Sequence, residues 1–323
     1  MNGDVMPETA ASPSSVRVSR FHMTRRTRES LIGYLFVSPW IISLLVFTAY
    51  PTIASIFFSM TDYNILRPPA FVGLKNFQIM FFEDPLFWTS VKNTAYYALI
   101  SVPLGLLVAL LLAMLLNQKL TGIGIYRTVF YLPSLVPAVA ATLLWLVILD
   151  PRLGLVNQAL GVFGIAPIGW FRSAAWAKPA LILMSLWLGT GASMLIFLAA
   201  LKEIPQSLMD AAMIDGAGAT QRFRHVTLPL ISPTILFNLI LGIIASFQVF
   251  GTAFVATGSA NTAGPLNSML MYMLLLYRNA FRYFNMGYAS AMALVMFLVL
   301  VLVTVVTIRS SSQWVYYETA GRQ

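Results

Sequence analysis

Cysteine is missing from all 323 residues, and histidine occurs only twice, as His22 and His225. Without cysteine there is no disulfide, no thiol nucleophile and no cysteine-based metal site. Two histidines in polar segments do not make a metal site that needs several imidazoles. Charge is scarce too: 10% of residues are Asp, Glu, Lys or Arg, where soluble domains average about 25%. No GxxxxGK[ST] run occurs, so a phosphate loop for ATP is lacking. No catalytic residue, metal ligand set or bound cofactor is expected in this chain.

Apolar length is what the chain has in abundance. Hydrophobic residues make up 59% of it, and a soluble fold this apolar would expose aggregation-prone patches. Six runs reach or approach the roughly 20 residues that cross a bilayer. They are Leu31–Phe58, Asn93–Leu116, Val129–Leu149, Pro179–Leu201, Leu230–Ala256 and Gly287–Ile308. Backbone groups in lipid must pair within their own segment, so the runs are helices. The expected fold is all-α and polytopic, with six transmembrane helices and no broken spans. The net charge of +9 does not point to nucleic acid, because the basic residues are scattered over short loops and form no basic face.

Residues 1–30 read as a polar, basic, disordered tail, 31–309 as the membrane domain and 310–323 as a short polar tail. Twelve of the 20 Lys and Arg residues fall on the tail side of the membrane, led by Arg17, Arg20, Arg25, Arg26 and Arg28. That bias puts both termini in the cytoplasm. The outer segments, 59–92, 150–178 and 257–286, carry Phe81, Phe82, Phe87, Trp88, Trp170, Phe171 and Trp176. These suit an interfacial aromatic belt or a surface that receives an external partner.

One polar stretch interrupts the oil, KEIPQSLMDAAMIDGAGATQRFRHVTLP at 202–229. Pro205 suits the first turn of a helix. Leu208, Ala211 and Ala212 then share one face, apolar but small. Gly216 breaks that helix, and Thr220 is placed to cap a second, Gln221–Thr227. The product is a two-helix elbow outside the membrane, read either as a self-contained hairpin or as a docking element.

The run Asp210-Ala211-Ala212-Met213-Ile214-Asp215-Gly216-Ala217, with Val226, Leu228 and Pro229 downstream, resembles the EAA loop of binding-protein-dependent ABC importer permeases. Asp210 stands where that pattern has glutamate. The carbohydrate-type members are the most similar: Phe71-Val72-Gly73-Leu74-Lys75-Asn76-Phe77, Asn93-Thr94, Ala245-Ser246-Phe247 with Phe250, Ala280-Phe281 and Gly287-Tyr288-Ala289-Ser290-Ala291 match their segments. The stretch from Thr257-Gly258 to Gly264-Pro265 is longer than the family's turn.

The resemblance implies a type I importer permease in a bacterial inner membrane, carrying a sugar or oligosaccharide. It implies a second homologous six-helix subunit, giving a heterodimer in contact with membrane lipid. It also implies two cytoplasmic ATPase subunits that hold ATP and Mg, and an extracytoplasmic solute-binding protein. Asp210, Ala211, Ala212, Asp215, Gly216, Ala217, Leu228 and Pro229 would couple to the ATPase.

Polar groups in spans face a path or a neighbouring helix. The candidate path residues are Asn238, Ser246, Phe247, Gln248, Phe250 and Thr252 in the fifth span and Trp187 in the fourth, with Trp145 as a further aromatic face. The alternative for each is helix packing, as for Gly189, Gly191 and Ala192. An ion-coupled carrier would need intramembrane charges or broken helices, and a polytopic transferase would need clustered acids.

Overall fold

The computed structural model describes residues 25–118, 121–258 and 262–316. Most of the expected tail, with Arg17 and Arg20, and also Lys119 and Arg322, lie outside the described residues. The chain divides into two compact units, Met1–Ala54 and Ser55–Gln323.

The first unit is helical from Arg25 onward, so the helix begins before Ser30 and takes in the Arg25–Glu29 ion pair at 3.1 Å. Its helix tolerates Pro39 and loosens into one wide π turn at Leu45–Ala49. The span to which it belongs, Arg25–Ser59, is 35 residues long and apolar enough to cross a membrane.

In the second unit, Pro85–Leu116, Ala174–Glu203, Ser232–Thr257 and Met286–Ser311 are long and apolar enough to cross a membrane. With Arg25–Ser59 that makes five among the described residues, and six when the pair Ile123–Leu135 and Ala138–Ile148, bent by 100°, is taken as one span. All six expected runs are thus occupied by helix. The third was expected to be continuous and is not. Val136 precedes Pro137 and is driven extended, at φ −75° and ψ 128°. Pro137 itself begins the second half.

The fifth span is also broken. Its first helix ends at Phe247 and a second begins at Gly251, with Phe250 between them at φ −135° and ψ −62°. No proline causes this break. The local cues are Gly251 and the aromatic and β-branched residues before it, all weak helix formers. Broken spans are therefore present, and their supposed absence does not argue against a carrier.

The second and fourth spans form the central pair, and the fifth packs against the second. At one end, Ala109, Ala113, Leu116, Met194, Phe197, Leu198 and Leu201 interlock with Ile231. Ala109 and Ala113 are fully buried one turn apart, and small residues let helix backbones approach in lipid. Gly191 serves the same purpose: a methyl there would lie 2.6 Å from the Phe130 carbonyl oxygen. Gly189 has open space beside it, so only one of the two glycines is a packing contact.

The opposite end is held by a β-hairpin that the all-α expectation missed. Strands β1 (Thr61–Asn64) and β2 (Arg67–Phe71) pair antiparallel, Thr61 opposite Phe71. Asn64 shapes the turn by accepting from the Leu66 N–H at 3.1 Å. Pro68 and Pro69 are tolerated because the ribbon has only two strands. The Asn76 amide donates to the Ser59 and Thr61 carbonyls at 2.9 and 2.8 Å. The Tyr288 hydroxyl donates to Asp84 at 2.6 Å, and Asp84 caps the second span through the Leu86 N–H.

Asn93 ties the same end to the segment before the sixth span. Its amide donates to the Asn267 and Leu270 carbonyls at 2.8 and 3.1 Å, and its carbonyl accepts from Lys178 at 3.1 Å. Asn93 is buried, so Asn93→Leu strands these groups at a cost of about 2–3 kcal/mol. We expect a lower melting temperature in detergent and faster proteolysis within 262–271. Wild-type values for both would contradict this. Beyond the sixth span, the Tyr316 N–H donates to the Ser232 hydroxyl at 2.9 Å, so the first residues of the expected C-terminal tail are packed.

Candidate functional site

The elbow leaves the fourth span at Glu203. Ile204, held extended by the following proline, turns the chain outward. The helix then runs Gln206–Ile214, with Pro205 as its cap residue and not its first turn. Gly216 sits at φ +78°, and two bonds close the helix end around it. The Ala217 N–H donates to the Ala212 carbonyl at 2.9 Å and the Gly216 N–H to Met213 at 3.1 Å. This is a Schellman closure, which needs a left-handed residue and so favours glycine.

The second arm differs in detail from the expectation. Its cap residue is Gly218, whose N–H donates to the Gln221 side chain at 2.8 Å, and Thr220 is already inside the helix. Ala219–Arg222 runs into a wide turn at Phe223–Thr227 and then Leu228–Leu230. Arg222 donates to the Ala217 carbonyl at 3.1 Å, bracing the corner from the far side.

Asp210, Ala211, Asp215 and Gly216 are exposed, while Ala212, Ala217, Leu228 and Pro229 are half-buried. Asp210 accepts from Gln206 at 3.0 Å, and among the described residues neither Asp210 nor Asp215 forms an ion pair. Leu208 is 45% exposed, Met213 48% and Ile214 86%. The small-residue stripe therefore lies beside exposed larger apolar groups, and the most exposed of them, Ile214, was not among the face residues read from the sequence.

The candidate path residues do not converge on one cavity. Asn238 and Ser246 are buried and bonded to their own helix, to the Thr234 and Ile243 carbonyls at 3.0 and 2.7 Å. Ser246 also borders a cavity of about 160 Å³ where the second, fourth and fifth spans meet, with Tyr97, Ser101, Ser185 and Thr190 on its wall. Phe247 points elsewhere, into an apolar cavity of about 300 Å³ beside Phe87 and Tyr272. Gln248 is exposed at the helix break and Thr252 is half-buried.

Phe250 stands at the break against Phe254 and Tyr277, with ring centroids 5.3 and 4.8 Å away. Trp187 meets Trp145 edge-on at 6.0 Å, and the buried Trp145 indole N–H has no hydrogen-bond partner among the described residues. The aromatic residues outside the spans divide. Phe87 and Trp170 are core, whereas Phe82, Trp88 and Trp176 stay exposed. A polar cavity of about 290 Å³ opens at the hairpin end, lined in part by Asp62, Lys75, Asn279 and Tyr288. Among the described residues no group of three or more His, Asp or Glu could hold a metal.

Apolar spans, two of them broken, joined by an exposed elbow define a multi-pass membrane protein. The chain belongs to the family described as binding-protein-dependent transport system inner membrane component, which matches residues 101–315, and it is a permease subunit of an ABC importer. It is 45% identical over 294 residues to the probable ABC transporter permease protein YesP of Bacillus subtilis (strain 168), covering 90% of this chain and 94% of that one.

It is 32% identical to the trehalose/maltose transport system permease protein MalF of Thermococcus litoralis (strain ATCC 51850 / DSM 5473 / JCM 8560 / NS-C), covering 87% and 94% of the two chains. The fold matches a chain of a bacterial ABC transporter involved in the import of the acidic polysaccharide alginate. The TM-score is 0.77 at 23% identity, over 89% of this chain and 97% of that one.

Proposed function

We propose that this permease carries a sugar or oligosaccharide, and that the elbow at 202–229 couples it to a separate ATPase. The observation that carries the reading is the elbow. A Schellman-closed corner braced by Arg222 transmits force as a lever. Its exposed Leu208, Met213 and Ile214 offer an apolar face, and Asp210 and Asp215 offer charge to cationic groups on a partner. ATP and Mg belong to two such ATPase subunits. Their closure moves the elbow and shifts the spans between two states.

The relatives' names support the substrate class, trehalose/maltose in one case and lactose in the Rhizobium radiobacter protein. In this arrangement the elbow faces the cytoplasm with both termini, and a solute-binding protein delivers its cargo at the hairpin end. A second six-span subunit completes the path. The path runs along the fifth span at its break, where Gln248, Phe250 and Thr252 offer hydrogen bonds and a ring face, with Trp145 and Trp187 nearby. Asn238 and Phe247 serve packing.

Cells lacking and carrying the gene are compared for uptake of labelled mono-, di- and oligosaccharides, polyols and glycerol phosphate. We expect gene-dependent uptake of a saccharide that survives ionophores and stops on ATP depletion. Uptake that collapses with the ionophore would instead identify an ion-coupled carrier.

A further inference from the structure

The apolar cavity of about 300 Å³ lies between the second and sixth spans. Trp88 and Val91 line it from one span and Val295 and Val299 from the other, with Phe247 of the fifth span also in its wall. Two of its wall residues carry hydroxyls, and both are engaged elsewhere. The Thr94 hydroxyl accepts from the Tyr272 N–H at 2.9 Å and donates to the Met271 sulfur at 4.0 Å. The Tyr272 hydroxyl donates to the Met292 carbonyl at 2.7 Å. The Trp88 indole N–H donates to the Phe81 carbonyl at 2.9 Å. Among the described wall residues no side-chain donor is left to face a guest.

Such a wall holds neither water nor sugar. Smaller apolar cavities than this stay dry, and a hydroxyl brought in without a partner is costly. What it fits is hydrocarbon. The volume has room for roughly ten groups of about 30 Å³ each, the size of a methylene, which is much of one acyl chain. The cavity reaches the surface at Trp88, 45% exposed, and Val299, 37% exposed. Both residues belong to membrane-crossing helices, so the solvent at that opening is acyl chain.

A second concavity adjoins the first, because both have Phe81 in their walls. It is an open groove on the short helix Lys75–Gln78 and the wide turn Ile79–Glu83, lined also by Leu74 and Phe82. Lys75 is the charged residue of its wall, and no acid lines it among the described residues. Lys75 is exposed and forms no ion pair there. A hydrocarbon slot that continues into a groove carrying a cation matches a molecule made of an acyl chain and a phosphate. We infer that the two concavities together hold one phospholipid, its acyl chain in the slot and its phosphate on Lys75, with the Gln78 amide beside it. The chain then packs against Phe247, the last residue of the first half of the fifth span, and fills the gap among the second, fifth and sixth spans.

The test uses the full chain, purified in detergent with the subunits that stay bound to it, and counts retained lipid by native mass spectrometry. The probe is palmitoyl-oleoyl phosphatidylglycerol, titrated after delipidation, with inorganic phosphate as competitor. We expect a single tightly held lipid on each wild-type chain. Lys75→Gln should weaken its binding about fivefold, and Lys75→Arg should restore it. Ala95→Phe puts a ring into the slot that Ala95 lines and should weaken binding at least tenfold with Lys75 in place. Val299→Trp, at the exposed mouth, should act in the same direction. Inorganic phosphate should not displace the lipid.

Equal retention by all variants overturns the site. So does a loss in Lys75→Gln with none in the slot variants, because charge alone would then hold the lipid. Displacement by inorganic phosphate overturns it in favour of a bare anion site at Lys75. Loss of a bound subunit in place of lipid from Ala95→Phe and Val299→Trp overturns it too, since a protein surface would then cover the slot. If Ala95→Phe lowers the yield of folded protein, Val299→Trp decides the outcome, because Val299 is exposed. Each of these results leaves the readings of the cargo and of the elbow where they stand.

Discussion

Replacing Gly216 with valine is expected to leave the protein in the membrane at its normal level while lowering ATP-dependent uptake about tenfold or more. The cause is conformational. Gly216 sits at φ +78° with nothing within 4 Å of where a Cβ would stand, so room is not the constraint. An L residue in the left-handed region costs about 1–2 kcal/mol, and a β-branched one is a genuine outlier there. The turn would relax toward negative φ and release the bonds from Gly216 to Met213 and from Ala217 to Ala212. The helix Gln206–Ile214 then loses its fixed angle to the second arm.

A loss of about 1.4 kcal/mol of coupling is about tenfold in the populated active state. Spans and core are untouched, so insertion continues. Asparagine, which tolerates this conformation better, should retain more uptake than valine. Normal uptake by the valine variant at normal expression would show that the elbow's angle is not what couples.

At the other end of the bundle, Gly287→Ala is expected to prevent stable folding. A methyl on Gly287 would overlap the Thr61 carbonyl oxygen and stand 3.2 Å from the Asn76 amide nitrogen. Neither can retreat. Thr61 is paired with Phe71 in the hairpin, and its carbonyl already accepts from Asn76 at 2.8 Å. Overpacking of a tight site typically costs about 1–3 kcal/mol, occasionally more, and a clash with backbone falls at the upper end. Separation of the sixth span from the hairpin would also break the Tyr288–Asp84 bond. The check is accumulation in membranes and aggregation on detergent extraction. A monodisperse, fully accumulated Gly287→Ala protein would refute the close approach.

These two glycines show how unevenly a sequence discloses its structure. Gly216 was legible because its role is local: six consecutive residues form the Schellman turn, and their order alone predicts a corner. Gly287 was recognised only as part of a family segment. Its reason lies in Thr61 and Asn76, more than two hundred positions away. Phe71–Phe77 likewise read as a motif without a mechanism until Asn76 was seen to bridge Ser59 and Thr61.

The candidate path divides in the same way. Asn238, Ser246, Gln248 and Thr252 were chosen as polar groups among oil, and polarity is visible in one dimension. Direction is not. Asn238 and Ser246 turned out to bond their own helix, and Phe247 faces a different cavity from Ser246.

The sequence by itself determined that this chain crosses a membrane repeatedly, lacks a phosphate loop of its own and carries a polar elbow of family spacing. Apolar length, motif order and turn chemistry are properties of contiguous residues. Only the tertiary structure decided how the hairpin locks over Gly287 and that Ser246 and Phe247 border different cavities. Each of those depends on groups far apart in sequence meeting at a few ångströms, a distance that residue order alone does not encode.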